Sequence, residues 1–233
     1  MKTFFRHFGL SLVLFTLFAG MWIGQVFSGL REHNHDSEEH GQPPVSLGEY
    51  LISGHFWEST AENWESEFLQ MGMFVILTVF LFQKGSAESK DPDKEKDVVD
   101  ADPAESRDDA KAPWPVRQGG WVMRVYCISL SLAFLILFLI SFAVHAAAGA
   151  SEYNQEQLEH GKEVVSTLGY MGTSRFWFES LQNWQSEFLA IFAMVVLTVF
   201  LRQRGSPESK PVAAGNWEST EDFEERKKEA VGV

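Results

Sequence analysis

Glu67 and Glu187 stand 120 residues apart in a shared context. Asn63-Trp64-Glu65-Ser66-Glu67-Phe68-Leu69 answers to Asn183-Trp184-Gln185-Ser186-Glu187-Phe188-Leu189, and each stretch leads into an apolar run. A carboxylate held at membrane depth is costly and commonly marks a proton or cation path. In a helix Asn63 and Glu67 are four apart and share a face, as do Asn183 and Glu187. Thr78 and Thr198, eleven residues further along, return to that face, so each stretch offers an Asn-Glu-Thr stripe. Gln25 and His145, at equivalent positions in the preceding apolar runs, would lie at a similar depth and could partner the glutamates. The plainer reading makes Asn, Ser and Thr interhelical glue and puts each glutamate at a wet helix start, where the dipole favours it.

A second group, His33, His35, Asp36 and His40, has the ligand types that bind zinc or copper. Only His40 recurs 120 residues later. His33 becomes Tyr153, His35 becomes Gln155 and Asp36 becomes Glu156, whereas a metal site essential to a repeated unit would keep its ligands. Glu39-His40-Gly41 and Glu159-His160-Gly161 are shared and read as loop shaping, with glycine at a turn. No Gly-rich phosphate loop, nucleophile elbow or His-Glu-x-x-His motif occurs, so no catalytic, cofactor or metal residue is assigned. The Phe-Trp and Asn-Trp pairs could line a ligand cage, but anchoring at a membrane interface explains them more simply.

The elements that would position these residues are membrane helices. Phe8 to Phe27 has no charged side chain, and neither has Val125 to Ala150 with His145 neutral. Both exceed the ~18–20 residues a span needs. The first run is too long for a signal peptide and reads as a retained span. The runs after Glu67 and Glu187 are short and must recruit residues upstream, drawing the glutamates toward the interface. Expected spans are 8–28, 64–83, 122–146 and 183–202. Cys127 lies inside an apolar run and reads as a buried structural thiol. A net charge of -13 argues against nucleic acid as a partner.

The chain repeats itself at an offset of 120. Between 56–90 and 176–210, 20 of 35 positions are identical, including Gly85-Ser86 with Glu88-Ser89-Lys90 against Gly205-Ser206 with Glu208-Ser209-Lys210. Glu32, Asn34, Val45-Ser46 and Tyr50 also recur, as Glu152, Asn154, Val165-Ser166 and Tyr170. The expectation is an all-α membrane four-helix bundle of two parallel two-span hairpins. Residues 1–90 form the first repeat, 91–116 a disordered acidic linker, 117–210 the second repeat and 211–233 a tail. Ser219 to Ala230 could add a short surface helix. Lys and Arg number 16 in the N-terminus, the 84–124 segment and the tail, against 3 in the two loops between paired spans. The positive-inside rule then puts both termini in the cytoplasm.

The Asn-Trp-x-Ser-Glu-Phe-Leu and Gly-Ser-x-Glu-Ser-Lys motifs, with Glu-His-Gly, resemble a family of uncharacterised bacterial membrane proteins, a domain of unknown function. The resemblance implies a bacterial inner-membrane location and transfers no functional residue. The expected function is a non-enzymatic structural or interaction role, with the lipid bilayer and a second copy or another membrane protein as partners and no cofactor. The alternative is a small transporter or channel using Glu67 and Glu187. A membrane-embedded enzyme stands third.

Overall fold

The computed structural model describes residues 2–94 and 97–231, without the side chains of residues 2, 3 and 231. Met1, Glu95 and Lys96 of the expected linker, and Gly232 and Val233 of the tail lie outside the described residues. Every regular element among the described residues is helical: α1 (Lys2–Glu39), α2 (Leu47–Leu51), α3 (Gly54–Phe80), α4 (Trp114–Gln118), α5 (Gly120–Cys127), α6 (Ser129–Glu159), α7 (Thr167–Met171), α8 (Ser174–Phe200) and α9 (Thr220–Val231). The sequence anticipates α9 closely. The all-α class holds.

Three of these helices, α1 from Phe4, α6 and α8, are long and apolar enough to cross a membrane. A hydrocarbon core of ~30 Å needs about 20 helical residues, and each of the three exceeds that. The apolar part of α1 leaves large side chains open to the surroundings, among them Leu10 at 74% and Met21 at 71%. Continuous exposure of this kind fits contact with lipid rather than water. Where four spans were expected, α3 falls short. It equals α8 in length, but Glu58, Glu62, Glu65, Glu67 and Gln70 dilute its apolar character.

The helices also overrun the expected spans. α1 continues past residue 28 to Glu39, because nothing from Arg31 to Glu39 breaks a helix, and α3 and α8 begin at Gly54 and Ser174, ten residues or so early. The expected 122–146 span is interrupted at Ile128 (φ -113°, ψ 9°), the junction of α5 and α6. There the Ser129 hydroxyl donates to the Tyr126 carbonyl at 2.7 Å, the acceptor that a continuing helix would offer to residue 130. Cys127, just before that junction, is exposed rather than buried. The thiol sits on the outward side of a short turn of helix, which apolar flanking residues alone did not reveal.

The chain divides into two compact units, Met1–Glu62 with Phe142–Trp177, and Asn63–Ser141 with Phe178–Val233. In the first, Tyr170 and Phe176 pack with Ala146 and Ala150, and Phe142, Tyr153, Val165 and Met171 lean against them. The second buries an unusual share of polar groups, including Glu65, Ser66, Gln70, Thr198 and Lys210. Where the sequence reads a disordered linker, the described part of 91–116 holds two 3-10 turns (Val98–Asp100 and Pro103–Ser106) and the start of α4. Asp97 and Asp102 each cap the turn they precede, accepting from Val99 and Ala104.

Candidate functional site

The polar residues of the first unit converge on the connections α1–α2–α3 and α6–α7–α8. The same devices build both. Asn34 clamps the chain after α1, its amide donating to the Val45 carbonyl at 3.1 Å and its carbonyl accepting from the Val45 N–H at 2.7 Å. Asn154 does the same to Val165, at 2.8 Å in each direction. Ser46 and Ser166 cap the short helices α2 and α7. Ser53 and Thr173 then donate to the carbonyls of Tyr50 and Tyr170, both at 2.7 Å, and accept from Phe56 and Phe176 N–H to start α3 and α8.

The Glu-His-Gly motif is a helix stop, as its residue types imply. Nδ1 of His40 lies 2.8 Å from the Asp36 carbonyl, and Nδ1 of His160 lies 2.8 Å from that of Glu156. Gly41 and Gly161 follow at φ 73° and 65°, a left-handed conformation that side chains resist. The bond to the Asp36 carbonyl, then the Asp36 charge, raises the His40 pKa.

Inside this frame the two connections carry different groups. In the first, the His33 and His55 rings lie 5.1 Å apart and each is 5.8 Å from the ring of Tyr50, which is 1% exposed. The Tyr50 hydroxyl is 3.3 Å from His55 Nδ1. In the second, Arg175 fills the position of His55 and pairs with Glu156 at 2.5 Å, above the ring of Tyr153, which stands where His33 does. Tyr170, fully buried, donates to Glu58 Oε1 at 3.1 Å. Glu152, beyond the apolar part of α6 that ends at Ala150, accepts from the His55 backbone N–H, and burial raises its pKa. Burial, then His33, lowers that of His55.

Of the six residues singled out by sequence, two fall in this unit. Gln25 donates to Thr60 at 3.3 Å and lies 3.4 Å from the Ser59 hydroxyl. His145 is fully buried, its ring stacked on Phe176 at 4.9 Å. The other four lie in the second unit. Glu67 and Asn63 are exposed, Glu187 and Asn183 half-buried. The buried carboxylate there is Glu65, which is 0% exposed and accepts from Trp184 Nε1 at 3.0 Å. Gln70 donates to the Glu187 backbone carbonyl at 2.7 Å. Thr78 donates within its own helix, to the Phe74 carbonyl at 3.0 Å, while Thr198 meets Ser86 at 3.0 Å.

Glu65, Glu58 and His55 do not recur along the repeat, where their counterparts are Gln185, Phe178 and Arg175. One signal could have found the first two. Glu58, Ala61, Glu65 and Gly72 recur at helical spacing, and small residues on one face mark close packing. The histidine group does not assemble: His33 turns to Tyr50 and His55, while His35 pairs with Glu39 on the exposed side. Among the described residues no group of three or more His, Cys, Asp or Glu is placed to hold a metal ion.

The Gly-Ser-x-Glu-Ser-Lys motif closes the second unit's helices in both copies. Ser86 and Ser206 accept from the N–H of Glu88 and Glu208 at 3.1 and 3.2 Å, and Ser89 and Ser209 accept from Gln83 and Gln203 at 2.8 and 2.9 Å. Lys90 pairs with Asp100 at 2.9 Å. Lys210, 1% exposed, instead donates to the carbonyls of Gly215, Asn216 and Glu218 at 2.8–3.1 Å, and burial lowers its pKa to about 8.

Residues 1–221 match a family described as a domain of unknown function (DUF6766). The chain belongs to that family. A search of curated proteins finds no match, and neither does a search of solved structures.

Proposed function

We propose that the chain is a four-span scaffold of the bacterial inner membrane, made by duplication of a two-span hairpin, with no enzymatic activity of its own. Its partners are the lipid bilayer and a second copy or another membrane protein. The observation that carries this reading is how the shared residues are used. Asn34 and Asn154, His40 and His160, Ser46 and Ser166, and the two Gly-Ser-x-Glu-Ser-Lys segments all bond the backbone that carries them. Residues kept for chemistry would leave donors or acceptors aimed at a common point. These are spent on shape.

α3 supplies the fourth span in this reading, through its apolar end from Phe68 onward. The support is that α3 and α8 begin and end 120 residues apart, as do α2 and α7. The spans are those expected at 8–28, 64–83, 122–146 and 183–202, the second and fourth stopping at Phe80 and Phe200 where α3 and α8 end, with both termini and the segment between the repeats in the cytoplasm. Single cysteines at Gln42, Lys162, Ser106 and Val212, in a Cys127→Ala background, test it with a membrane-impermeant maleimide. Positions 42 and 162 should label on intact spheroplasts, and 106 and 212 only after lysis. Labelling of 42 and 162 from opposite sides would overturn the four-span arrangement. A proteoliposome ion flux lost on Glu67→Gln plus Glu187→Gln would replace the scaffold by a transporter.

A further inference from the structure

We propose that His33 and His55 form a proton-binding site that loosens the first connection of the unit when the surrounding medium acidifies. The inference goes beyond the scaffold reading and does not depend on the number of spans. Its basis is geometric. Two half-buried imidazoles come from different helices, α1 and α3, and meet at 5.1 Å against the buried Tyr50 of α2. One proton taken up by His55 changes its contact with Tyr50 and puts a charge beside the His33 ring. Protonated Nδ1 of His55 can only donate, so the Tyr50 oxygen 3.3 Å away must accept. The cation then sits in a part-buried place beside the second imidazole, where burial disfavours its charge.

The charged neighbours do not cancel this cost by a direct contact. Glu32 and Asp36 on α1 act on His55 from a distance, and Glu152 on α6 receives the His55 backbone N–H while its charge acts on His33 rather than on the His55 ring. Glu156 on α6 and Arg175 on α8 both act on Glu152, and those two are already paired with each other. Tyr50 on α2 is the only side chain among the described residues shown bonded to the His55 ring. The second connection holds a built-in contrast. Its Tyr153 and Arg175 occupy the same two positions, so it holds no imidazole pair.

The sign follows from burial. The His55 pKa is lowered in the fold, so its neutral form stabilises the fold above pH 6.5. That contribution is lost as pH falls from 6.5 through the folded value. His40 runs the other way. Its pKa is raised, so its contribution is present below 6.5 and lost as pH rises.

The test uses the full chain in detergent, melted at pH 7.5 and pH 5.5. The wild type should lose on the order of 2–4 °C in Tm at the lower pH. The double variant His33→Tyr plus His55→Arg, which copies the second connection, should lose that acid sensitivity. A control, His35→Gln plus His40→Gln, should keep or steepen it. Equal acid sensitivity in the wild type and the double variant would overturn the proposal. If the double variant does not fold, imidazole NMR titration of the wild type decides. Support is a His55 midpoint below that of a model-peptide histidine, with the His33 signal shifting as His55 titrates. Independent titration at the model-peptide value overturns it.

Discussion

The connection from α1 through α2 to α3 and the connection from α6 through α7 to α8 share a frame and differ in what it encloses. Both are pinned by an asparagine clamp, a serine cap and a buried tyrosine. One holds two imidazoles around its tyrosine, the other an arginine–glutamate pair and a buried Tyr170–Glu58 hydrogen bond. Backbone shape is therefore what the two connections have in common. A clamp that satisfies buried backbone groups has few chemical substitutes. The enclosed side chains need only fill space and pair with one another, so they differ between the two connections.

The largest expected effect tests the shared frame. Phe56 and Phe176 are 1% and 0% exposed, and replacing either by alanine should cost about 3–5 kcal/mol in denaturant unfolding. Similar losses would show that the two connections carry equal structural weight. A much smaller loss at Phe56 would make the first connection a dispensable copy.

A smaller effect should separate the two. Tyr170→Phe removes a hydrogen bond to a buried carboxyl group, worth about 1.5–3 kcal/mol if Glu58 is ionised. Tyr50→Phe removes a bond to a neutral, half-exposed imidazole, worth about 0.5–1.5 kcal/mol. Equal losses at neutral pH would erase the distinction between the connections. The smallest effect belongs to Arg175→Ala. Its pair with Glu156 is part-exposed (33% and 45%), so about 0.2–1 kcal/mol is expected, falling further at high salt.

The 120-residue repeat in the sequence pointed to the frame and missed what lies inside. Glu-His-Gly, expected to shape a loop with glycine at a turn, stands where α1 and α6 end. The repeat gave weight to Glu67 and Glu187 because both copies keep them, whereas the buried carboxylates are Glu58 and Glu65, each present in one copy only. Repetition reports what the backbone requires. It is blind to a partner that one copy supplies to the other, such as Glu58 to Tyr170.

By itself the sequence determined the helical class, the long apolar runs and the turns that end them. Those follow from local properties: side-chain hydropathy, glycine at positive φ, and hydroxyl or amide groups within a few residues of the backbone they bond. Only the tertiary structure decided which polar groups are buried and with whom they pair. Helix rotation sets that, and a turn of 100° per residue moves Glu65 inward and Glu67 outward although they are two residues apart. The same rotation turned a histidine cluster on paper into one imidazole pair, His33 with His55, joined across two helices.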